Sequence, residues 1–120
     1  MSAPAPAPGG LTISSGSEDG APSIVLVGEL DLSGAGQMEA SLAEAERALA
    51  RGGERARLLI DLSRLTFLDS TGLRLLLQAD MRAREGGYEL VLRRGGPSVQ
   101  RVFEVTGALD VLRFEDPAGA

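Results

Sequence analysis

The chain has 120 residues, 43% of them hydrophobic, and a formal net charge of −5 at pH 7; this length and apolar content predict one domain with a single core. Cysteine and histidine are absent, which excludes a disulfide framework and any thiolate or imidazole metal site. The negative charge and an aromatic content of 3% argue against a nucleic-acid-binding surface, which needs basic side chains and stacking platforms.

The first segment, Met1 to Gly10, consists mainly of Ala, Pro and Gly. Repeated proline removes backbone donors and the small side chains bury little surface, so we predict a disordered tail, followed by the domain at residues 11–116. The N-terminus lacks the charged and apolar regions of a signal peptide, and no apolar run is long enough to span a membrane. We therefore expect a soluble, cytoplasmic protein with neither a membrane nor a direct nucleic-acid partner.

Two β-branched runs open the domain, "LTISS" and "SIVLVGEL", separated by the polar segment "GSEDGAP". This pattern predicts two strands joined as a hairpin. Apolar residues then recur at steps of four, three and four, at Met38, Leu42, Ala45 and Leu49. That spacing predicts an amphipathic helix, which we expect to stop at Gly52 and Gly53.

The rest of the chain alternates strand and helix patterns. We predict a buried strand in "RARLLIDL", a helix in "STGLRLLLQADMRAREGG", a strand in "YELVL", a helix in "PSVQRVFEVTG" and a short last strand over Val111 to Phe114. Such alternation implies right-handed crossovers between parallel strands. The fold class is therefore α/β, with a mixed four- or five-stranded sheet, the first strand antiparallel at an edge, and three to four helices mainly on one face.

The segment "DSTG" lies at the junction between the predicted strand in "RARLLIDL" and the helix that follows it. Asp69 or Ser70 is placed to accept hydrogen bonds from free amides at the start of the helix. Gly72 costs the helix about 1 kcal/mol relative to alanine, so we expect that something approaches closely there. A phosphate on Ser70 or Thr71 would suit the positive end of the helix, while Asp69 would repel it.

Three segments resemble the STAS-domain anti-sigma factor antagonists of bacteria: "GELDLSGA" at 28–35, "LLIDLSRLTFLDSTGLRLLL" at 58–77 and "VQRVFEVTGALDVL" at 99–112. The resemblance implies the STAS fold and a protein that binds an anti-sigma factor, itself a serine kinase, and so releases a sigma factor. It implies that Ser70 is the phosphoacceptor, that phosphorylation ends binding, and that a serine phosphatase restores it. It also implies that the loop containing Asp31 helps to form the docking face. We predict that this face comprises Asp31, Asp69, Ser70, Thr71, Gly72 and Arg74, with no cofactor or metal site.

Two points qualify the implied site. Many members of the family have a small residue where this chain has Arg74, so the docking face is predicted to suit a partner with a matching acid. Asp31 follows a strand and precedes "LSGA", a position that is also typical of an aspartate that caps a turn.

Asp61 in "LLIDLS" lies outside the implied site and is predicted to be a structural acid at a strand end.

Other functions fit the sequence less well. A nucleophilic serine needs a general base, and the chain has neither histidine nor lysine, which excludes the usual Ser-His and Ser-Lys arrangements; we expect no enzymatic activity. A two-component receiver domain would use Asp61 or Asp69 as its phosphoacceptor. It would also need a lysine, which this chain lacks. The alternative that keeps the fold is a STAS accessory subunit of a lipid transporter or a scaffold of a stress-signalling complex.

Overall fold

The protein's structure is a computed structural model that describes residues 10–50 and 56–117. Within these ranges five strands and three α-helices follow one another, with two short 3₁₀ turns. In chain order the elements are β1 (Leu11–Glu18), β2 (Ala21–Leu30), a turn at Leu32–Gly34, α1 (Ala35–Leu49), β3 (Arg57–Leu68), α2 (Ser70–Gly86), β4 (Glu89–Arg93), α3 (Pro97–Thr106), a turn at Ala108–Asp110 and β5 (Phe114–Glu115).

The predicted hairpin is confirmed, with a tighter turn than the polar segment suggested. β1 and β2 pair antiparallel from Leu11 opposite Gly28 to Glu18 opposite Ala21. Asp19 and Gly20 alone form the turn, with φ of 51° and 83°. Because two-residue turns with positive φ match the twist of the strands, both strands extend further into the polar segment than their apolar content indicates.

The sheet has the order β1-β2-β3-β4-β5, and β2 to β5 are parallel. Each successive parallel strand is added on the same side of the last, so right-handed crossovers place the connecting helices on one face. One buried cluster accordingly contains residues from β2, β3 and β4 and from all three helices, among them Ile24, Ile60, Leu92, Leu42, Leu76 and Phe103. The predicted α/β fold, with an antiparallel first strand at the edge, is confirmed.

The helix ends follow local rules where the structure describes them. Gly87 caps the C-terminus of α2 and Gly107 that of α3, both in the left-handed conformation, and Pro97 occupies the first turn of α3. α1 ends at Leu49, whereas the stop predicted at Gly52 and Gly53 lies outside the described residues.

The last strand begins later than the predicted Val111. It comprises only Phe114 and Glu115, because residues 108–110 form a 3₁₀ turn and the chain reaches the edge of β4 later than predicted.

The other face of the sheet carries an ion-pair network centred on Arg93. Register places Asp61, Arg93 and Glu115 side by side on β3, β4 and β5. The Arg93 guanidinium lies 3.6 Å from Asp61 and 3.3 Å from Glu115, and it also bonds Glu18 at the end of the hairpin. Asp61 in addition accepts hydrogen bonds from the Ser63 amide (2.8 Å) and hydroxyl (2.6 Å). It is therefore a structural acid as predicted, but it lies inside β3 rather than at a strand end.

Two remaining predictions concern the ends of the chain and the membrane. Most of the predicted tail, residues 1–9, lies outside the described part, while the Gly10 carbonyl accepts a hydrogen bond from the Glu29 amide at 2.9 Å. None of the helices in residues 10–50 and 56–117 is long and apolar enough to cross a membrane.

Candidate functional site

The residues singled out by the sequence meet at the carboxyl edge of the sheet, where β2 and β3 end side by side. Leu30 and Leu68 are register partners in this parallel pair, and Asp31 and Asp69 are the residues that follow them. Neighbouring strands lie about 4.8 Å apart, so the two aspartates leave the sheet as neighbours. The Asp69 amide donates to the Leu30 carbonyl at 3.3 Å, which ties the two strand ends together.

Asp69 caps α2. Its backbone is extended, and its carboxylate accepts a hydrogen bond from the Gly72 amide at 2.9 Å. This bond satisfies one of the amides that the first turn of a helix leaves free. Of the two predicted caps, Asp69 is therefore the one that the structure uses.

Ser70 is the first residue of α2 and is exposed, and its hydroxyl makes no hydrogen bond to any described residue. The neighbouring Asp69 carboxylate accepts the Gly72 amide through Oδ1, and within the described residues it makes no hydrogen bond to the Ser70 hydroxyl. The hydroxyl is therefore accessible from outside and unengaged at the start of α2.

Asp31 caps the 3₁₀ turn that precedes α1. Its carboxylate accepts hydrogen bonds from the Ser33 hydroxyl at 2.6 Å and the Ser33 amide at 3.0 Å. The hydroxyl bond above all, with help from the Ser33 and Gly34 amides, lowers the pKa of Asp31 below its usual value. The turn-capping role is thus confirmed, and contact with a partner remains a prediction for the same half-buried residue.

The structure corrects the reason given for Gly72. This residue is buried, and a Cβ atom at its position would lie 2.6 Å from Leu68 Cδ1 and 2.8 Å from the Leu30 carbonyl oxygen. The close approach predicted there is made by the chain itself, where the ends of β2 and β3 pack against the first turn of α2. Gly72 shapes the site from beneath, because its own surface is covered.

The remaining predicted residues lie on the first turns of α2. Thr71 is half-buried beside Ser70, while Arg74 is exposed four residues after it. Two exposed apolar side chains that the sequence did not single out flank the same edge. Leu32, in the turn after Asp31, is 72% exposed, and Phe67, just before Leu68, is 45% exposed. A leucine inside the polar turn "DLSG" was the available indication.

The aspartates at this edge do not belong to a metal-binding cluster within the described residues. Within the described ranges, no three acidic side chains lie close enough together to hold a metal. Asp31 and Asp69 each accept bonds from the protein's own amides. What the edge presents outward is a small surface of mixed character, with a serine hydroxyl, carboxylate oxygens, one guanidinium and two apolar groups.

The domain as a whole is similar to known proteins. A family model described as "Mlab, STAS domain" matches residues 13–113. A putative anti-sigma factor antagonist of Bordetella bronchiseptica, BtrV, is 40% identical over 86 residues, which are 72% of this chain and 70% of the relative.

Solved structures agree on the fold. The crystal structure of an anti-sigma factor antagonist from Mycobacterium paratuberculosis superposes with a TM-score of 0.74 at 27% identity, over 94% of this chain and 92% of that one. The anti-sigma factor antagonist SpoIIAA in its unphosphorylated form gives a TM-score of 0.63 at 21% identity, over 90% and 89% of the two chains.

Proposed function

The chain belongs to the STAS-domain family of anti-sigma factor antagonists, and on that premise we propose that it is a protein-binding switch controlled at Ser70. The unmodified form binds an anti-sigma factor that is also a serine kinase, and this binding releases a sigma factor. Phosphorylation of Ser70 ends the binding, and a serine phosphatase restores it. The protein acts in the cytoplasm, without a cofactor, as a substrate rather than an enzyme.

The observation that carries this proposal is the exposed Ser70 hydroxyl at the first position of α2, held in place by the Asp69 cap. A kinase needs a hydroxyl that projects from the surface at a defined position. The cap fixes the backbone on both sides of Ser70 and leaves its side chain free. In the phosphorylation step the Ser70 oxygen forms a bond to the γ-phosphorus of ATP, ADP leaves with the bridging oxygen, and the hydroxyl proton passes to a base of the kinase.

The docking face comprises the exposed and half-buried groups around that serine. We assign to it Asp31, Asp69, Thr71 and Arg74, and add the exposed apolar side chains Leu32 and Phe67. Gly72 belongs to it only through the backbone that it allows to pack. A phosphate at the centre of this face adds a charge of about −1.5 to −2 beside two aspartates. Since docking removes water from that charge, binding is expected to weaken by several kcal/mol, or about a hundredfold or more.

The test is incubation of the protein with candidate anti-sigma kinases and ATP, followed by mass spectrometry of the phosphorylated peptide. We expect one phosphate, on Ser70. Thr71→Ala is the matched control, because it alters the adjacent hydroxyl and should leave modification at position 70 intact. Phosphorylation that persists in Ser70→Ala would contradict the proposal.

The alternative use of the fold, as an accessory subunit of a lipid transporter or a stress-signalling scaffold, makes a different forecast. In that case the protein would co-purify with a transporter or scaffold. Association with an anti-sigma factor would then be undetectable for the unsubstituted protein and for Ser70→Glu alike. Calorimetric titration of the unmodified protein against the candidate kinase separates the two functions.

A further inference from the structure

Arg74 differs from the other arginines of α2 in having no acidic partner. Arg82 pairs with Glu46 of α1 at 2.8 Å, and Arg84 pairs with Asp80 at 2.8 Å. Arg74 is exposed and makes no ion pair with any residue in the described part of the chain. Its guanidinium is therefore free of ion pairs with the described residues of the unmodified protein.

The helix itself explains this lack of a partner. Side chains three and four residues apart are neighbours on a helix surface. For Arg74 these are the uncharged residues Ser70, Thr71, Leu77 and Gln78. Asp69, which is one residue too far along the chain for such a pair, is bonded to the Gly72 amide at 2.9 Å. In the unmodified state, α2 offers Arg74 no negative charge.

Phosphorylation would change that in one step. Helical side chains lean towards the N-terminus of their helix, so Arg74 leans towards Ser70, four residues earlier and likewise exposed. A negative group N-terminal to a positive one at this spacing is the favourable order for a helical ion pair. Guanidinium and phosphate also match in bonding geometry.

Building on the proposed function, we infer that Arg74 is the intramolecular partner of phosphorylated Ser70. In the unmodified protein the guanidinium is free to meet an acidic group of the anti-sigma factor. In the modified protein it is bound to the phosphate, so phosphorylation adds a negative group to the docking face and at the same time withdraws its cation. The switch thus acts through two neighbouring positions of one helix.

The pairing can be measured without a kinase or a partner. Full-length protein carrying phosphoserine at position 70, introduced during synthesis, is titrated by ³¹P NMR to obtain the second pKa of the phosphate, which is about 6 when unperturbed. A nearby guanidinium favours the dianion and lowers this pKa, whereas the carboxylates of Asp31 and Asp69 raise it. The carboxylates are present in every variant, so differences between variants report the arginine.

We expect the phosphate pKa to be about 0.5 higher in Arg74→Gln than in the unsubstituted protein, and to return most of the way in Arg74→Lys. Arg47→Gln is the matched control: Arg47 is exposed, in the last turn of α1 at the opposite end of that helix from the docking edge, and its loss changes the net charge equally. An unchanged pKa in Arg74→Gln, or an equal rise in Arg47→Gln, overturns the inference.

The outcome is independent of the proposed function. If no anti-sigma kinase modifies Ser70 while the phosphate pKa depends on Arg74, the proposed function fails and the pairing stands. If the kinase modifies Ser70 and the phosphate pKa is unchanged in Arg74→Gln, the pairing fails and the proposed function stands.

Discussion

Replacing Gly72 by alanine separates packing within the site from docking of a partner. The added Cβ would lie 2.6 Å from Leu68 Cδ1 and 2.8 Å from both Leu30 Cγ and the Leu30 carbonyl oxygen. Contacts this short force neighbouring atoms to move, and one of them is backbone at the end of β2. Overpacking of this kind costs about 1–3 kcal/mol, while the gain in helix propensity returns up to about 1 kcal/mol.

We therefore expect Gly72→Ala to lower the free energy of unfolding by about 1 kcal/mol, or the melting temperature by about 4 °C. Gly36→Ala is the matched control. Gly36 also lies in the first turn of a helix, α1, but a Cβ there would meet nothing within 4 Å. It should gain stability from helix propensity alone, so the two substitutions should change stability in opposite directions.

Urea denaturation followed by circular dichroism measures both variants on one scale. The result that would refute this reasoning is a stabilised Gly72→Ala protein, equal to Gly36→Ala, because it would show that the ends of β2 and β3 do not press on α2. Full stability together with lost affinity for the anti-sigma factor would restore the sequence-based explanation, in which the glycine makes room for the partner.

Substitutions at Ser70, Asp31 and Arg93 test separate parts of the structure. Ser70→Ala should bind the anti-sigma factor constitutively and Ser70→Glu weakly in calorimetric titrations, and equal affinities would reduce Ser70 to a structural residue. The pKa of Asp31 is lowered in the folded protein, so its stabilising contribution is present above the unfolded pKa of about 3.9 and is lost as pH falls through the lower folded value. The urea midpoints at pH 6 and pH 2.5 should therefore differ less in Asp31→Asn than in the unsubstituted protein. An equal difference between the two midpoints in both proteins would contradict this. Arg93→Met leaves Asp61, Glu18 and Glu115 without their common cation and should cost about 1–3 kcal/mol in chemical denaturation. The control Arg113→Met removes an exposed pair with Glu89 and should cost less than about 1 kcal/mol, so similar losses in the two variants would show that burial of Arg93 does not matter.

Most of the fold was predictable because its determinants are local. The steps between Met38, Leu42, Ala45 and Leu49 specify a helix face, and all four are buried. Gly107 ends α3 because a glycine adopts its φ of 80° without steric cost. Strand–helix alternation leads to parallel neighbours through the handedness of the crossover. Each of these patterns extends over a few residues, so it can be recognised without knowing what lies across the sheet.

The candidate site was predictable in part. The sequence alone placed Asp69 and Ser70 at the start of a helix, and the structure assigns the cap to Asp69. The leucine inside the polar turn "DLSG" was an indication, but the sequence alone did not establish that Leu32 is exposed, because hydrophobicity does not show which loop residue the fold leaves uncovered.

Tertiary structure alone decided the contacts made between distant parts of the chain. The space around Gly72 is filled by Leu30, 42 residues earlier in the sequence, and Arg93 reaches Glu18 across a separation of 75 residues. Such contacts depend on strand order and register, which are set by the packing of the whole sheet. A local pattern can show that a glycine or a buried charge is unusual; only the assembled sheet shows which atoms it meets.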